Sequence, residues 1–209
     1  NEELVSSSFL QFDDPNVVAT SPIYPGEGRI LNVGQVTAST TKYVVPSLAL
    51  LNTEPWEITF RCKPGGLGSW GMITGNDATG TGYIGFNYTT TLRYNNDGGT
   101  SIDTSGFTAS ILGGMHTYTL TSDGGGAGAC TITVYSDGEL INTVTGAYGN
   151  ITINSVLSGF NNNTYDFDGD LSHFRISSGT PYTDGMVREL HSNLLQILQP
   201  RIRYQPISI

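Results

Sequence analysis

Apolar and polar residues alternate with a period of two along most of this chain, and the alternation stops at short clusters of glycine, asparagine and aspartate. A period of two puts successive side chains on opposite faces of a strand, whereas a helix repeats its apolar positions every three or four residues. The pattern predicts strands at Val5–Phe12, Ile30–Val36, Lys42–Val45, Trp56–Lys63, Gly71–Thr74, Tyr83–Tyr88, Thr91–Asn95, His116–Thr121, Thr131–Ser136, Ile151–Leu157 and Leu171–Ser177. Between them stand Pro64-Gly65-Gly66, Asn96-Asp97-Gly98-Gly99, Asp123-Gly124-Gly125-Gly126 and Asp137-Gly138. Glycine supplies the positive φ of tight turns, and Asp-Gly is a strong two-residue hairpin signal. Many strands joined by short loops, with no helix between them, predict an all-β antiparallel sandwich.

One segment breaks the period. From Gly185 to about Leu198, the residues Val187, Leu190, Leu194, Ile197 and Leu198 fall on one helical face, Asp184 is placed to cap the start, and Pro200 ends the run. The expected organisation is a sandwich over residues 1–184 and a C-terminal helix and arm over 185–209, packed on the sandwich or on a neighbour.

A chain of 209 residues can bury roughly 70% of its unfolded surface, so a core needs no disulfide. The net charge is −9 and the only lysines are Lys42 and Lys63, which disfavours nucleic acid and anionic membrane surfaces as partners. No run of 18 apolar residues is present, and the first residues lack the charged and apolar stretches of a secretory leader. Arg188, Arg201 and Arg203 make the C-terminal end locally basic, which suits a solvated tail or, more sharply, a docking segment for an acidic neighbour. Arg201, Arg203 and Tyr204 are therefore the expected assembly contacts.

Cys62 and Cys130 both lie on the apolar phase of predicted strands. Buried free thiols are the first expectation, and a disulfide between adjacent strands is the alternative. No CxxC or histidine pair accompanies them to make a metal site.

Five segments, in order, resemble the concanavalin A-like lectin/glucanase superfamily in its laminin-G-like branch. Tyr43-Val44-Val45-Pro46 resembles its Y-V-x-P strand, and Trp56 to Pro64 resembles F-T-I-x-F-W-V-K-P. His116 to Leu120 resembles W-H-H-V-A-L-T, Tyr135 to Leu140 resembles Y-V-D-G-E-L, and Phe167 to Ile176 resembles F-x-G-x-I-D-x-V-R-I. Met115 stands where the family has Trp, and Cys62 near its usual Val. The resemblance implies a concanavalin A-like jelly roll. Leu190 to Arg201 is similar to the L-x-x-N-P-W-Q-L-F-x-P-R ending of laminin-G-like proteins of tailed bacteriophages and prophages, with Leu194-Leu195 in place of Pro-Trp. That ending implies a protein of the virion surface, on capsid or tail, with other virion proteins or further copies of itself as partners.

Catalysis finds little support in the residues. Retaining glycosidases need two carboxyl groups about 5–5.5 Å apart, and the E-x-D-x-x-E alternation that would supply them on one strand is missing. Glu54 and Glu57 have the wrong spacing; Asp166, Asp168 and Asp170 alternate, but at a strand entrance beside an Asp-Gly turn. His116, His173 and His191 show no metal-ligand spacing, which favours structural roles. Calcium is the one cofactor weighed. It wants six to eight oxygens, and two oxygen-rich loops put Asp77, Asp166 and Asp168 forward as ligands; the same residues also make turns. Sugar binding would use an aromatic platform with planar polar groups. Asn161, Asn162, Asn163 and Tyr165 form the best local cluster, and Trp70 with Tyr83 near Asp77 the second.

The residues and the resemblance together point to a non-enzymatic phage virion surface protein, structural and adhesive through weak glycan binding. The alternative is a free or cell-surface lectin module, with or without calcium, and a glycoside hydrolase comes last.

Overall fold

The computed structural model describes residues 36–38, 43–64, 70–87, 91–105, 114–157, 167, 169–179 and 181–192. The strands are β1 Val36–Ala38, β2 Tyr43–Leu50, β3 Trp56–Pro64, β4 Trp70–Gly75, β5 Tyr83–Asn87, β6 Thr91–Asn95, β7 Ser101–Ser105, β8 His116–Ser122, β9 Cys130–Ser136, β10 Glu139–Gly146, β11 Ile151–Val156 and β12 Gly169–Ser178, followed by helix α1 Asp184–Ser192. They form two six-stranded sheets in the orders β1-β12-β3-β8-β9-β10 and β2-β11-β4-β5-β6-β7. Every ladder is antiparallel. The all-β antiparallel sandwich with one C-terminal helix is thus the architecture the chain adopts.

The core is the product of the alternation. Ile58, Phe60 and Cys62 on β3 meet Leu120 and Tyr118 on β8, and Ile132 and Val134 on β9, all buried. The facing sheet supplies Ile73, Ile84, Phe86, Leu92, Tyr94, Ile151 and Ile153. Aromatic contacts join the layers: Phe86 meets Phe60 edge-on at 6.3 Å and Tyr118 at 5.2 Å between ring centroids, and Trp56 stacks on Tyr94 at 5.9 Å. Phe167, Leu171, Phe174 and Ile176 of the last signature are buried too, with a bulge between Leu171 and His173 that resets the register against β3.

Part of the other face of the first sheet is also closed to water, although its residues are polar. Glu57, Thr59, Thr117, Thr119, Thr121, Arg175 and Ser177 lie there at 9% exposure or less. The helix contributes to that cover: Val187 and Leu190 are buried, and the Tyr135 hydroxyl donates to Asp184 Oδ1 at 2.8 Å.

Several expectations meet corrections. The helix is capped by Thr183, whose Oγ1 accepts from the Met186 amide at 3.4 Å and whose carbonyl accepts from Val187 N at 3.0 Å. Asp184, expected as the cap, is instead in the first turn, where its charge suits the positive end of the helix dipole. Two strands escaped the sequence pattern, β7 and β10, and both are sheet edges. The β2 strand runs on to Leu50, past the expected end at Val45. The expected strand at Val5–Phe12, the helical residues after Ser192 and the arm over 200–209 lie outside the described residues.

Cys62 and Cys130 are free and buried, as first expected. Cys62 pairs with His116 at the first residue of β8, whereas Cys130 opens β9 beyond the pair between Ser122 and Ile132. A strand of that length spans about 20 Å, and a disulfide needs Cα atoms within about 7 Å. Burial pushes the Cys62 thiol up, away from reactivity.

Candidate functional site

The outward face of the second sheet carries a polar patch where β5, β6 and β7 run side by side. The ladders set Tyr83 opposite Asn95, Gly85 opposite Arg93, and Asn87 opposite Thr91. They set Arg93 opposite Asp103 and Asn95 opposite Ser101. Alternation keeps all of these on one face, because their neighbours Ile84, Phe86, Leu92, Tyr94 and Ile102 are in the core. Trp70 opens β4 and pairs with Asn87 at the same level.

Arg93 and Asp103 form a fork-to-fork pair, Nε to Oδ1 and the second guanidinium nitrogen to Oδ2, both at 2.5 Å. The Asp103 carboxylate, with the Tyr83 hydroxyl adding a further bond, holds the Arg93 pKa above its ordinary value against the opposing effect of partial burial. Tyr83 is only 4% exposed, so it braces the guanidinium and offers no open ring. On either side of this pair, Asn87 Oδ1 and Asn95 Oδ1 are cut off from solvent and have no hydrogen-bond partner. The side chain of Asp103 is 43% exposed and that of Arg93 20%.

The turns at one end of the same sheet form a second polar group. The Asp77 amide donates to Asn154 Oδ1 at 2.8 Å, and Asn154 Nδ2 donates to Asn76 Oδ1 at 3.2 Å. Asp97 accepts from the Thr152 amide and hydroxyl at 3.1 and 2.8 Å. Asn96 Oδ1 accepts from Thr100 N at 2.9 Å. These side chains hold turns to neighbouring strands, the role that short Asn and Asp side chains play in loops. Among the described residues, no three His, Cys, Asp or Glu side chains are grouped to hold a metal ion.

A third cluster joins the first sheet to the helix. The β9–β10 hairpin turns at Asp137 and Gly138, both with positive φ (51° and 81°), as a type I′ turn requires. Asp137 Oδ1 accepts from Thr117 N at 2.8 Å, and Oδ2 pairs with His116 Nδ1 at 2.6 Å. His191, in the last turn of α1, stands 4.0 Å from Oδ1. Partial burial opposes ionisation of Asp137, but the Thr117 amide and His116 outweigh it and hold its carboxyl below the usual range. A lowered carboxyl pKa contributes stability above the unfolded value that is lost as pH falls through the folded one. Asp137→Asn keeps the turn and removes the charge. It should flatten the loss of stability between about pH 5 and 2, measured as urea midpoints across that range. A variant slope equal to the wild type would refute the assignment.

Of the residues nominated from sequence, Asp77 sits in the turn network and Trp70 in the ladder beside the polar patch. Asn161, Asn162, Asn163, Tyr165, Asp166, Asp168, Arg201, Arg203 and Tyr204 lie outside the described residues. Sequence reasoning passed over Arg93, Asp103, Asn87 and Asn95. The signal that could have found them is their parity: each is a polar residue on the non-core phase of its strand.

No protein-family model matches the sequence, and no curated protein matches it. Solved structures do resemble the fold. Domain 4 of AbnA, a GH43 extracellular arabinanase from Geobacillus stearothermophilus seen in complex with arabinotriose, is 16% identical with a TM-score of 0.57, over 78% of this chain and 82% of that domain. The binding domain of Paraclostridial Mosquitocidal Protein 1 is 14% identical with a TM-score of 0.55, over 83% of this chain and 47% of that one. The receptor binding domain of botulinum neurotoxin D is 12% identical with a TM-score of 0.53, over 77% and 43%. The chain thus spans less than half the length of the two toxin domains. What is shared is the fold, a β-sandwich of two packed sheets.

Proposed function

We propose that this chain is a non-catalytic carbohydrate-binding module that uses the outward face of its second sheet. The observation that carries this reading is the polar patch itself: a braced guanidinium–carboxylate pair flanked by two unpartnered amide oxygens. Planar, paired donors and acceptors fixed on strands match the adjacent hydroxyls of a sugar, and a rigid sheet loses little entropy in presenting them. A fold shared with a domain that holds arabinotriose agrees with it. So does the use made of five of the described carboxylates. Glu57 is buried, Asp97 and Asp123 bind backbone amides, and Asp103 and Asp137 bind Arg93 and His116.

The test is a glycan array probed with the purified chain. Binding to one glycan class should appear, and Arg93→Ala should weaken it at least tenfold, because Asp103 and Tyr83 lose the group that positions them. An array without a single bound class sinks the reading.

A place on a phage particle is a further proposal, carried by the likeness of residues 190–201 to phage protein endings. Mass spectrometry of purified particles tests it, and absence of the chain would refute it.

A further inference from the structure

We infer that the sheet-face site selects neutral glycans and rejects sialylated or otherwise anionic ones. The inference rests on the carbohydrate-binding reading above and adds the substrate class.

Charge is the first argument. Among the described residues, the lysines and arginines are Arg61, Lys63, Arg93, Arg175 and Arg188. Arg61, Lys63 and Arg175 belong to the first sheet and Arg188 to the helix, so among the described residues Arg93 is the one on the second sheet. One edge of its guanidinium, Nε and a terminal nitrogen, is already given to Asp103. Around it, the second sheet and its turns carry Asp77, Asp97 and Asp103. Among the described residues, a sugar carboxylate arriving here meets one cation, already paired, and a half-exposed Asp103. Like charge at an interface is a strong means of excluding a partner.

The orphan amides are the second argument. Asn95 is 8% exposed, and its Oδ1, like Asn87 Oδ1, accepts nothing. A buried acceptor left unmade is costly, and what satisfies it is a proton donor. Sugar hydroxyls donate; an ionised carboxylate has no proton to give. Two waiting acceptors and an Asp therefore ask for hydroxyls, and a carboxylate set against them would leave them unfilled and add a like charge.

The experiment compares matched pairs on one array, lactose against α2,3-sialyllactose among them, with arabinotriose as a second neutral probe. Across pairs, the neutral member should bind at least tenfold better. Equal or stronger binding of the sialylated members would overturn the inference while leaving the carbohydrate-binding reading intact. No binding in either class would overturn both. Two variants locate the effect. Asp103→Asn should narrow the neutral-to-sialylated ratio, and an unchanged ratio would refute the role of that charge. Asn95→Ala should lower affinity for the bound neutral glycan at least tenfold while the melting temperature stays the same or rises, because it removes an unsatisfied buried acceptor. A lower melting temperature with unchanged affinity would mean that the amide serves the fold and not a ligand.

Discussion

Arg175→Ala should destabilise the protein by about 3–5 kcal/mol at pH 7, the usual cost of stripping the partner from a buried charge. Glu57 is wholly buried on β3, and its Oε2 stands 3.5 Å from Arg175 Nε. Thr59 donates its hydroxyl to Oε1 and shares a hydrogen bond of 2.9 Å with Thr119. Arg175 also bonds the Tyr182 hydroxyl and lies 5.5 Å from that ring's centroid. The pair therefore ties β3 and β12 to the segment leading into the helix. Burial raises the Glu57 pKa, with Arg175 and then Thr59 pulling it back down. Without the guanidinium the rise must be larger. A carboxyl whose folded pKa is raised gives stability below the unfolded value and loses it as pH climbs through the folded one. The variant should thus suffer more at pH 7 than at pH 4, as urea denaturation at the two pH values would show. Replacing the pair together, Glu57→Leu with Arg175→Met, should recover most of the loss. A single variant that loses less than about 1 kcal/mol would mean that the pair behaves as a surface ion pair.

Phe60→Ala should cost a similar amount, about 3–5 kcal/mol, without that pH dependence. Phe60 is 0% exposed and lies 5.5 Å from Tyr118 within its own sheet and 6.3 Å from Phe86 across the core. Its loss removes apolar area and opens a cavity whose walls are strands. Backbone ladders keep those strands from closing in. Denaturant midpoints measure the cost; Phe60→Leu, which fills most of the space, should lose less than half as much. Equal losses for the two substitutions would show that ring packing between the layers, and not volume, sets the cost.

The strands that were legible in the sequence are those with a core to face. Trp56–Lys63, Thr91–Asn95, His116–Thr121 and Thr131–Ser136 each matched an observed strand to within a residue or so. β7 and β10 were not legible, since Ser101-Ile102-Asp103-Thr104-Ser105 and Glu139 to Gly146 are edges with weak alternation. No residue of β10 is fully buried, so fewer of its positions need be apolar. β10 shows the consequence in Leu140, 49% exposed. The burial of Glu57 was not legible for the opposite reason. It occupies a solvent phase by parity, yet it is wholly buried where the helix-side segment covers that part of the sheet.

The candidate site was less legible than the fold. Asn runs and lone aromatics drew attention in sequence because they are conspicuous locally. The patch that the sheet assembles draws single, ordinary residues from three strands, Asn87, Arg93, Asn95 and Asp103. None stands out among its neighbours in the chain.

Alternation, turn residues and the isolated helical stretch determined that this chain is an antiparallel sandwich with a C-terminal helix, because strand, turn and helix preferences are local and written within a few residues. Tertiary structure alone decided which polar residues became partners and which were left without one. Strand register places Arg93 against Asp103, and it sets Glu57 on β3 beside Arg175 on the neighbouring β12, far apart in the chain. Register and layering are settled by the packing of the whole core, so no short window of sequence contains them.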